Sequence, residues 1–263
     1  MTSSIAPADP TPRRRAAIFG VANDHSIAWA IARRLHADGV ELALTYPNEQ
    51  IEKRVRPLAE SIGVDCVLPC DVTDDAQIDA AFGALRERWG EMDALVHSLA
   101  FAGRDDLKGR FVDTPRQGFH LALDVSAYSL VAMARAAEPL LAPRRGAIVT
   151  LTYLGAERVI PHYNVMGIAK AALEASVRYL AWDLGAAGIR VNALSAGPVR
   201  TLSAAGISGF KTMLHHHEEH APLRRNITPD EVAATAAFLC SPAAAGITGE
   251  VVHVDAGYNI MGM

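Results

Sequence analysis

The chain has 263 residues, of which 50% are hydrophobic and 21% charged, a balance typical of a globular protein with a large core. Its formal charge of −4 is spread over both halves, which excludes an evident nucleic-acid or membrane-surface partner, and no apolar run approaches the roughly 18 residues of a membrane span. The three cysteines form no C-x-x-C pair, which excludes a disulfide framework and indicates a reducing compartment, so we expect a cytoplasmic protein.

Residues 1–15 precede the first predicted strand and lack the apolar core of a secretory signal. Asp9 and two early prolines argue against a transit peptide, and the run from Arg13 to Arg15 is too short for a nucleic-acid site. We therefore expect a disordered extension. Residues 16–263 contain no linker, charge block or internal repeat, which predicts one domain.

Short apolar runs alternate with amphipathic stretches along this whole domain. The amphipathic stretches have helical periodicity, and several end at glycine. Strands that are apolar on both faces and alternate with helices require a parallel sheet covered on both sides. We predict a single doubly wound, Rossmann-like α/β domain with a seven-stranded parallel sheet and a ligand site at the carboxyl ends of the strands. The predicted strands cover residues 16–22, 41–46, 65–72, 93–100, 146–153, 189–197 and 250–257.

The turn after the first strand reads "GVANDHSIAWAIA", and such a turn normally receives the phosphates of a dinucleotide. Gly20 is present, but the next glycine is Gly39, so the G-x-G-x-x-G fingerprint is absent. Ser26 and its small neighbours can still bring an amide and a hydroxyl to a pyrophosphate. The alternative for Ser26 is a helix cap without a ligand.

The second and third strands end in "TYPNEQ" and "CDV". Asn48 and Glu49 suit the two hydroxyls of an adenosine ribose, and no arginine stands beside them to meet a 2′-phosphate, which favours NADH over NADPH. Asp71 and Val72 suit the adenine edge, through a carboxylate and an amide. In both turns the alternative is that these side chains cap the next helix.

Tyr163 and Lys170 lie seven residues apart in "YNVMGIAK", and Tyr153 lies just upstream. If Tyr163 opens a helix, the phenol and the ammonium stack on one face, two turns apart. We expect the lysine to lower the pKa of the phenol and to donate to a sugar hydroxyl of a bound cofactor, an arrangement that stabilises an oxyanion. The alternative is an ordinary amphipathic helix, with Tyr153 as a packed strand residue.

Histidines suggest two further sites. The run "HHHEEH" at 215–220 places His216 and His220 one turn apart, but H-E-x-x-H is not met because Ala221 stands where a histidine is needed. We therefore predict an exposed polar helix and no metal. His97 ends the fourth strand near the expected ligand. A functional role and a buried histidine held by local hydrogen bonds are equally good explanations for a histidine at this position.

Motifs spread over residues 18–261 together resemble one family. In order they are "GVANDHSIAWAIA", "CDV", "VHSLAFA", "SAYSLVAMA", "LTYLGAERVIPHYNVMGIAKAALEASVRYLA", "RVNALSAGPVRTLSAAGI" and "GEVVHVDAGYNI". The chain resembles the enoyl-acyl-carrier-protein reductases of bacterial fatty-acid synthesis, a divergent branch of the short-chain dehydrogenase/reductase superfamily. Ordinary members of that superfamily have their lysine four residues after the tyrosine, where this chain has Gly167.

The resemblance implies a role for each matching residue. It makes Tyr163 the catalytic phenol, Tyr153 its companion in the substrate pocket and Lys170 the holder of the nicotinamide ribose. Ala102 is expected to touch substrate. The cofactor contacts that the resemblance implies are Gly20, Ser26, Ile27, Asp71, Val72, Leu99, Lys170, Val199, Arg200, Thr201, Leu202 and Ser203.

The implied reaction is hydride transfer from NADH to C3 of a trans-2-enoyl thioester on acyl carrier protein. Charge then develops on the thioester oxygen as an enolate, which Tyr163 meets with a hydrogen bond. A segment near 199–220 is expected to cover the acyl chain, with a plain connecting helix as the alternative. Two positions depart from the family pattern: many members have glutamine in place of Pro47 and glycine in place of Ala100.

Two other functions fit the same fold. One is a carbonyl reductase or alcohol dehydrogenase, and the seven-residue spacing argues against it. The other is a non-catalytic dinucleotide-binding regulator, and the intact Tyr163 and Lys170 pair argues against that. Helices predicted around 117–141 and 162–185 carry more apolar surface than one sheet face needs, and relatives pair such helices, so we expect a homotetramer.

Overall fold

The structure is a computed structural model that describes residues 13–201 and 209–262. Within these residues the chain forms the seven strands that the sequence predicts. They are β1 (Arg15–Phe19), β2 (Glu41–Tyr46), β3 (Cys66–Pro69), β4 (Ala94–His97), β5 (Ala147–Thr152), β6 (Arg190–Ala196) and β7 (Val251–Val254). The five strands in the middle of the sheet are mostly buried, whereas the two edge strands are only partly buried.

All neighbouring strands pair in parallel, in the order β3-β2-β1-β4-β5-β6-β7. The register is continuous across the centre of the sheet, where Ile18 stands between Leu44 on β2 and Val96 on β4. The chain moves outward from β1 to β3 and then returns to the other side of β1. This reversal opens a crevice at the carboxyl ends of β1 and β4.

Eight α-helices in the described ranges cover the two faces of the sheet. One apolar core includes buried residues of α1 and α8, and the other includes buried residues of α3, α5 and α6. The fold is therefore the predicted doubly wound α/β domain. The helices are α1 (Ile27–Ala37), α2 (Glu49–Ser61), α3 (Asp75–Trp89), α4 (Arg116–Leu123), α5 (Ser129–Leu141), α6 (Val165–Gly185), α7 (Phe210–His220) and α8 (Pro229–Leu239).

Two helical segments differ from the sequence prediction. The helix expected at 117–141 is interrupted by a π-helical turn at Asp124–Tyr128 between α4 and α5. The helix expected at 162–185 begins later, at Val165. Insertions of this kind re-aim side chains near functional sites, and hydrophobic periodicity does not reveal them.

The three cysteines, Cys66, Cys70 and Cys240, are free and buried. Burial raises the pKa of the Cys70 and Cys240 thiols to about 12, so both remain protonated and unreactive at neutral pH. None of the helices in the described ranges is long and apolar enough to cross a membrane.

Candidate active site

The candidate site lies at the carboxyl ends of β1, β4, β5 and β6. The crevice between β1 and β4 forms one side of it, and the segments that follow β5 and β6 form the other. Sequence-predicted residues follow each of these four strands: Gly20, Leu99, Tyr153 and Val199.

Gly20 allows the ends of β1 and β4 to approach each other. Its φ is 104°, in the region that favours glycine. A Cβ at this position would collide with the carbonyl oxygen of Ser98, which follows β4. Any other residue would therefore force apart the two strand ends that border the crevice.

The N-terminus of α1 points toward this crevice without a capping side chain or an acidic residue in its first turn. Ser26 precedes the helix, but its hydroxyl donates to the Asn23 carbonyl at 2.6 Å and accepts from the Ala22 amide at 3.4 Å. Ser26 therefore stabilises the preceding turn, and its interpretation as a side-chain cap is wrong. By contrast, α2, α3 and α8 each have both a capping side chain and a first-turn acid. The first turn of α1 suits an anion such as a pyrophosphate.

Local hydrogen bonds occupy the side chains at the ends of β2 and β3. Asn48 caps α2 by accepting from the Ile51 amide at 3.1 Å, which confirms the capping interpretation for this residue. One carboxylate oxygen of Asp71 accepts from the amide and the hydroxyl of Thr73, at 3.0 and 2.8 Å. Asp74, rather than Asp71, caps α3. Asp71 thus shapes the loop in which Val72 is buried.

Tyr163 lies in a turn two residues before α6, so it precedes the helix rather than opening it. The residues on either side, His162 and Asn164, have φ values of 65° and 40°. Such values are uncommon for residues other than glycine and concentrate at functional sites. The turn buries the Tyr163 side chain and brings its ring against that of Tyr153.

Two glycines make room for the Tyr163 ring. A Cβ on Gly155 would overlap the ring itself, and a Cβ on Gly167 would lie 2.8 Å from the Gly155 carbonyl oxygen. Gly167 also stands four residues after Tyr163, where ordinary members of the superfamily have their lysine. The close approach of α6 to the turn at Gly155 therefore fixes both the ring and the start of the helix.

Lys170 is 5% exposed and extends its ammonium toward the ends of β4 and β5. Its Nζ donates to the Leu151 carbonyl at 2.7 Å and to the Leu99 carbonyl at 3.3 Å. Burial lowers the pKa of Lys170 to about 8, and the Glu174 carboxylate one turn along α6 opposes this change. Lys170 is therefore mostly charged at neutral pH, and its position depends on main-chain oxygens.

The expectation of a lowered Tyr163 pKa is wrong. The pKa of Tyr163 lies above its ordinary value, chiefly because the hydroxyl is buried, and Tyr153 and Glu174 raise it further. In the described structure the Lys170 ammonium donates to the two carbonyls and not to the phenol. Tyr163 is consequently a neutral hydrogen-bond donor at physiological pH.

His97 is fully buried and its two ring nitrogens have local partners. Nδ1 lies 2.8 Å from the Thr150 hydroxyl, and Nε2 lies 2.8 Å from the Ser129 hydroxyl. Burial, followed by the charge of Lys170, lowers the pKa of His97 to about 3. His97 is therefore a neutral residue that supports the core, which confirms the interpretation of local hydrogen bonding.

Helix α7 packs beside Tyr153, whose hydroxyl lies 3.3 Å from the Met213 sulfur. The histidine run on this helix is only partly exposed, because His217 is 3% exposed and packs on the Tyr258 ring with centroids 4.8 Å apart. The prediction of a fully exposed polar helix is therefore wrong at His217. Across residues 13–201 and 209–262, no three side chains of His, Cys, Asp or Glu form a group that could hold a metal ion.

Several of the remaining predicted residues lie in the segments that follow β4 and β6. Ala102 is partly buried in the loop after β4, and Leu99 contributes its carbonyl to Lys170. After β6, Val199 is buried and Arg200 is exposed. The predicted cofactor contacts Leu202 and Ser203 lie outside the described residues, whereas Ile27 and Thr201 lie within them.

Sequence reasoning missed several residues that hold the site together. Gly155 and Gly167 accommodate Tyr163, and the Ser126 hydroxyl accepts from the Phe101 amide at 3.0 Å, which holds the loop after β4. Glu174 is a buried acid beside Lys170. The signal for Glu174 was present in the sequence, because an acid four residues after a lysine faces it on a helix.

Comparisons with known proteins agree on one family. A family model described as "Enoyl-(Acyl carrier protein) reductase" matches residues 20–259. A relative from Nostoc sp., named as an NADH enoyl-[acyl-carrier-protein] reductase, is 54% identical over 253 residues, which covers 95% of this chain and 98% of the relative.

Solved structures give the same result. The enoyl-acyl carrier protein reductase of Bacillus cereus, with NADP+ and indole naphthyridinone, has a TM-score of 0.93 and 54% identity over 95% of this chain and 98% of its own. The enoyl-(acyl-carrier-protein) reductase of Anaplasma phagocytophilum, in complex with NAD, has a TM-score of 0.91 and 52% identity over 95% of each chain.

Proposed function

The chain belongs to the enoyl-(acyl carrier protein) reductase family, and from this premise we propose how its own residues carry out the reaction. The protein is an oxidoreductase of fatty-acid biosynthesis that reduces the C2–C3 double bond of trans-2-enoyl thioesters on acyl carrier protein with NADH. The observation that carries the proposal is the buried, neutral Tyr163 phenol in the crevice that also holds the Lys170 ammonium.

The residues of the crevice fit NADH. Gly20 leaves the main chain open beside the first turn of α1, where neither a side chain nor an acid competes with a pyrophosphate. Asp71, Val72, Leu99, Val199 and Thr201 extend this surface along the strand ends. When bound, NADH supplies the hydride that reduces C3 of the substrate.

Tyr163 is the residue that meets the developing charge. As the thioester oxygen becomes an enolate oxygen, the phenol donates a hydrogen bond to it. A donor that is already fixed and desolvated stabilises this charge more than water does, because it does not need to reorganise. The contacts with Gly155 and Gly167 fix the Tyr163 ring in this way.

Lys170 contributes charge and positioning. Its ammonium, anchored on the Leu99 and Leu151 carbonyls, adds positive potential at the ends of β4 and β5. A lysine has three donors, so one remains to hold a ribose hydroxyl of the cofactor. Substitution of Lys170 is therefore expected to weaken cofactor binding as well as catalysis.

The substrate pocket lies between Tyr153 and the loop that contains Ala102. We propose that the acyl chain enters between this loop and α7, since Met213 of α7 already touches the Tyr153 hydroxyl. Helix α7 would then cover the chain during the reaction, while residues 202–208 of the expected covering segment lie outside the described residues. Ala100 is expected to narrow the pocket by one methyl relative to members with glycine.

We further propose a cytoplasmic homotetramer. Helix α6 exposes two large aromatic side chains one turn apart, Tyr179 at 74% and Trp182 at 84% exposure, and the π-helical turn exposes Tyr128 at 45%. Exposed aromatic residues on neighbouring helices are typical of an interface between copies. Paired helices of this kind would give the closed symmetry expected of a soluble oligomer.

A direct assay tests the proposed function. Purified protein is mixed with NADH and crotonyl thioester, and the loss of nicotinamide absorbance is followed, with acetoacetyl thioester as the matched carbonyl substrate. Turnover of the enoyl substrate alone supports the proposal. Turnover of the carbonyl substrate alone would assign the protein to carbonyl reduction instead, and binding of NADH without either turnover would indicate a regulator.

A further inference from the structure

Glu174 is a buried carboxylate one turn beyond Lys170 on α6. It is 7% exposed, and the equally buried Thr152 hydroxyl donates to its Oε1 at 2.6 Å. Acids are rarely buried to this extent unless they are paired, because desolvation of a carboxylate is costly. Glu174 raises the pKa of Lys170, and the charged groups that act on Glu174 itself are Glu157, His253 and Arg178.

Glu174 interacts with both residues of the proposed machinery. Its charge raises the pKa of Lys170, against the larger effect of burial, and raises that of Tyr163. Residues four apart lie on the same face of a helix, and here both side chains reach the end of β5: Lys170 binds the Leu151 carbonyl, and Glu174 accepts from the adjacent Thr152 hydroxyl. The His97 ring, on whose pKa the charge of Lys170 acts, is neutral. Among the described residues, Glu174 is therefore the acid that favours the protonated form of Lys170.

His253 and the partly exposed Glu157 also affect the charge of Glu174. His253 on β7 has a buried Nε2 without a hydrogen bond, 3.6 Å from Oε1 of Glu157, whose side chain is 48% exposed. Burial raises the pKa of Glu174 above its ordinary value and Glu157 raises it further, whereas the Thr152 hydrogen bond, His253 and Arg178 lower it. The groups that stabilise the buried carboxylate are therefore the Thr152 hydroxyl, His253 on β7 and Arg178 on α6.

We propose that Glu174 is a positioning residue for the reductase reaction, a buried anion that keeps Lys170 protonated and thereby sets the alkaline limit of cofactor binding and turnover. The inference rests on the proposed function, in which Lys170 acts as an ammonium. It assigns to Glu174 no contact with substrate. Glu174 acts only by changing the protonation of Lys170. Its contribution therefore appears in the pH dependence of cofactor binding and turnover, and not in a rate measured at one pH.

The sign of the expected effect follows from the charges. Replacement of Glu174 by glutamine removes the anion and leaves burial unopposed, so the pKa of Lys170 falls further below 8. Loss of one nearby opposite charge shifts a buried group by about one pH unit or more. The alkaline limb of kcat/KM should therefore move to lower pH by about one unit, a loss of about tenfold on that limb. At pH 6 the variant should turn over close to the wild-type rate.

The experiment compares Glu174→Gln with Asp183→Asn, which removes an exposed acid from the same helix. Measurements are kcat/KM for crotonyl thioester, NADH affinity by fluorescence, and the 15N shift of the Lys170 Nζ in the ligand-free protein, each against pH. The proposal expects the glutamine variant to shift all three curves to lower pH and the asparagine variant to leave them unchanged. Glu174→Asp, which restores a carboxylate, should recover part of the shift.

One outcome with the Glu174→Gln variant would contradict the proposal. A folded Glu174→Gln protein that binds NADH and has wild-type pH curves would overturn the inference. If that variant fails to fold, Thr152→Val, which removes the hydroxyl bonded to Glu174, should produce a smaller shift in the same direction, and unchanged curves would again refute it. Failure of the proposed function itself would be recognised separately, as absence of enoyl reduction by the wild-type protein.

Discussion

The aromatic rings of Tyr153 and Tyr163 meet edge to face, with centroids 5.1 Å apart and planes inclined by 73°. This geometry is favourable between aromatic rings and holds two hydroxyl-bearing side chains of different elements in one pocket. Burial raises the pKa of Tyr153 to about 12, and that of Tyr163 is raised as well. The pair therefore presents two neutral donors, of which one is assigned to the oxyanion.

The first prediction separates the two hydroxyls. Tyr163→Phe should reduce kcat by about 100-fold to 1,000-fold, the usual cost of removing an oxyanion donor, with NADH affinity unchanged. Tyr153→Phe should cost less, because its hydroxyl touches the Met213 sulfur and supports the pocket. Steady-state kinetics with crotonyl thioester and NADH titrations measure both effects. A fully active Tyr163→Phe enzyme would contradict the assignment.

The second prediction concerns the space around Tyr163. Gly155→Ala places a methyl where the Tyr163 ring lies, so the ring must move and kcat should fall more than NADH affinity. The free energy of unfolding should fall by about 1–3 kcal/mol, the usual cost of overpacking.

Gly83→Ala is the matched control for this substitution. Gly83 lies within α3, and a Cβ there meets no atom within 4 Å. Alanine at a helical position of this kind should stabilise by about 0.5–1 kcal/mol with normal activity. Denaturant titrations and steady-state kinetics of both variants measure these effects. A normal kcat in Gly155→Ala would show that the position of the Tyr163 ring does not depend on Gly155.

The third prediction concerns stability at alkaline pH. The pKa of Lys170 is about 8 in the folded protein and about 10.5 in an exposed lysine, so the unfolded chain binds more protons between these values. The Lys170 contribution to the free energy of unfolding therefore rises with pH from about 8 to about 10.5, by up to about 3 kcal/mol. Below pH 8 both states are protonated, and this contribution is constant.

Lys170→Met provides the comparison for that window. The variant keeps a long apolar stem and removes the titrating group, so the unfolding free energy of the wild-type protein should rise relative to that of the variant as pH rises from 8 to 10. Urea unfolding at several pH values measures this difference. A difference that is the same at pH 7 and at pH 10 would mean that the folded protein does not depress the lysine pKa.

The fourth prediction tests the proposed homotetramer. Trp182→Glu places a charge in the exposed aromatic surface of α6, and a charge buried without a partner strongly opposes association. Multi-angle light scattering should then give a smaller species than the wild-type protein at equal concentration. Asp183→Asn, on the same turn, should leave the mass unchanged. A wild-type monomer at all concentrations would exclude the assembly.

The sheet was predictable from the sequence, because strands that are apolar on both faces occur in parallel sheets that helices cover on both sides. The spacing of Tyr163 and Lys170 predicted the candidate site only together with the family motifs spread over residues 18–261. The roles of Gly155 and Gly167 were not predictable, since each depends on a collision between segments that are distant along the chain. Local spacing carries no information about such contacts.

Charge effects were predicted less well than positions. The sign of the Tyr163 pKa change was wrong because burial dominates it, whereas sequence spacing reveals only that a lysine is near. His217 was expected on an exposed helix face, yet it packs on Tyr258, which follows β7 much later in the chain. Both errors arise from burial, which depends on the whole fold.

The carbonyls that bind Lys170 belong to the main chain at Leu99 and Leu151, so side-chain substitutions do not remove them. The walls of the proposed substrate pocket, Ala100, Ala102 and α7, can therefore change while the ammonium stays in place. Altered acyl-chain range or altered inhibitor binding is thus accessible to this enzyme through single substitutions in those walls that leave the chemical step intact.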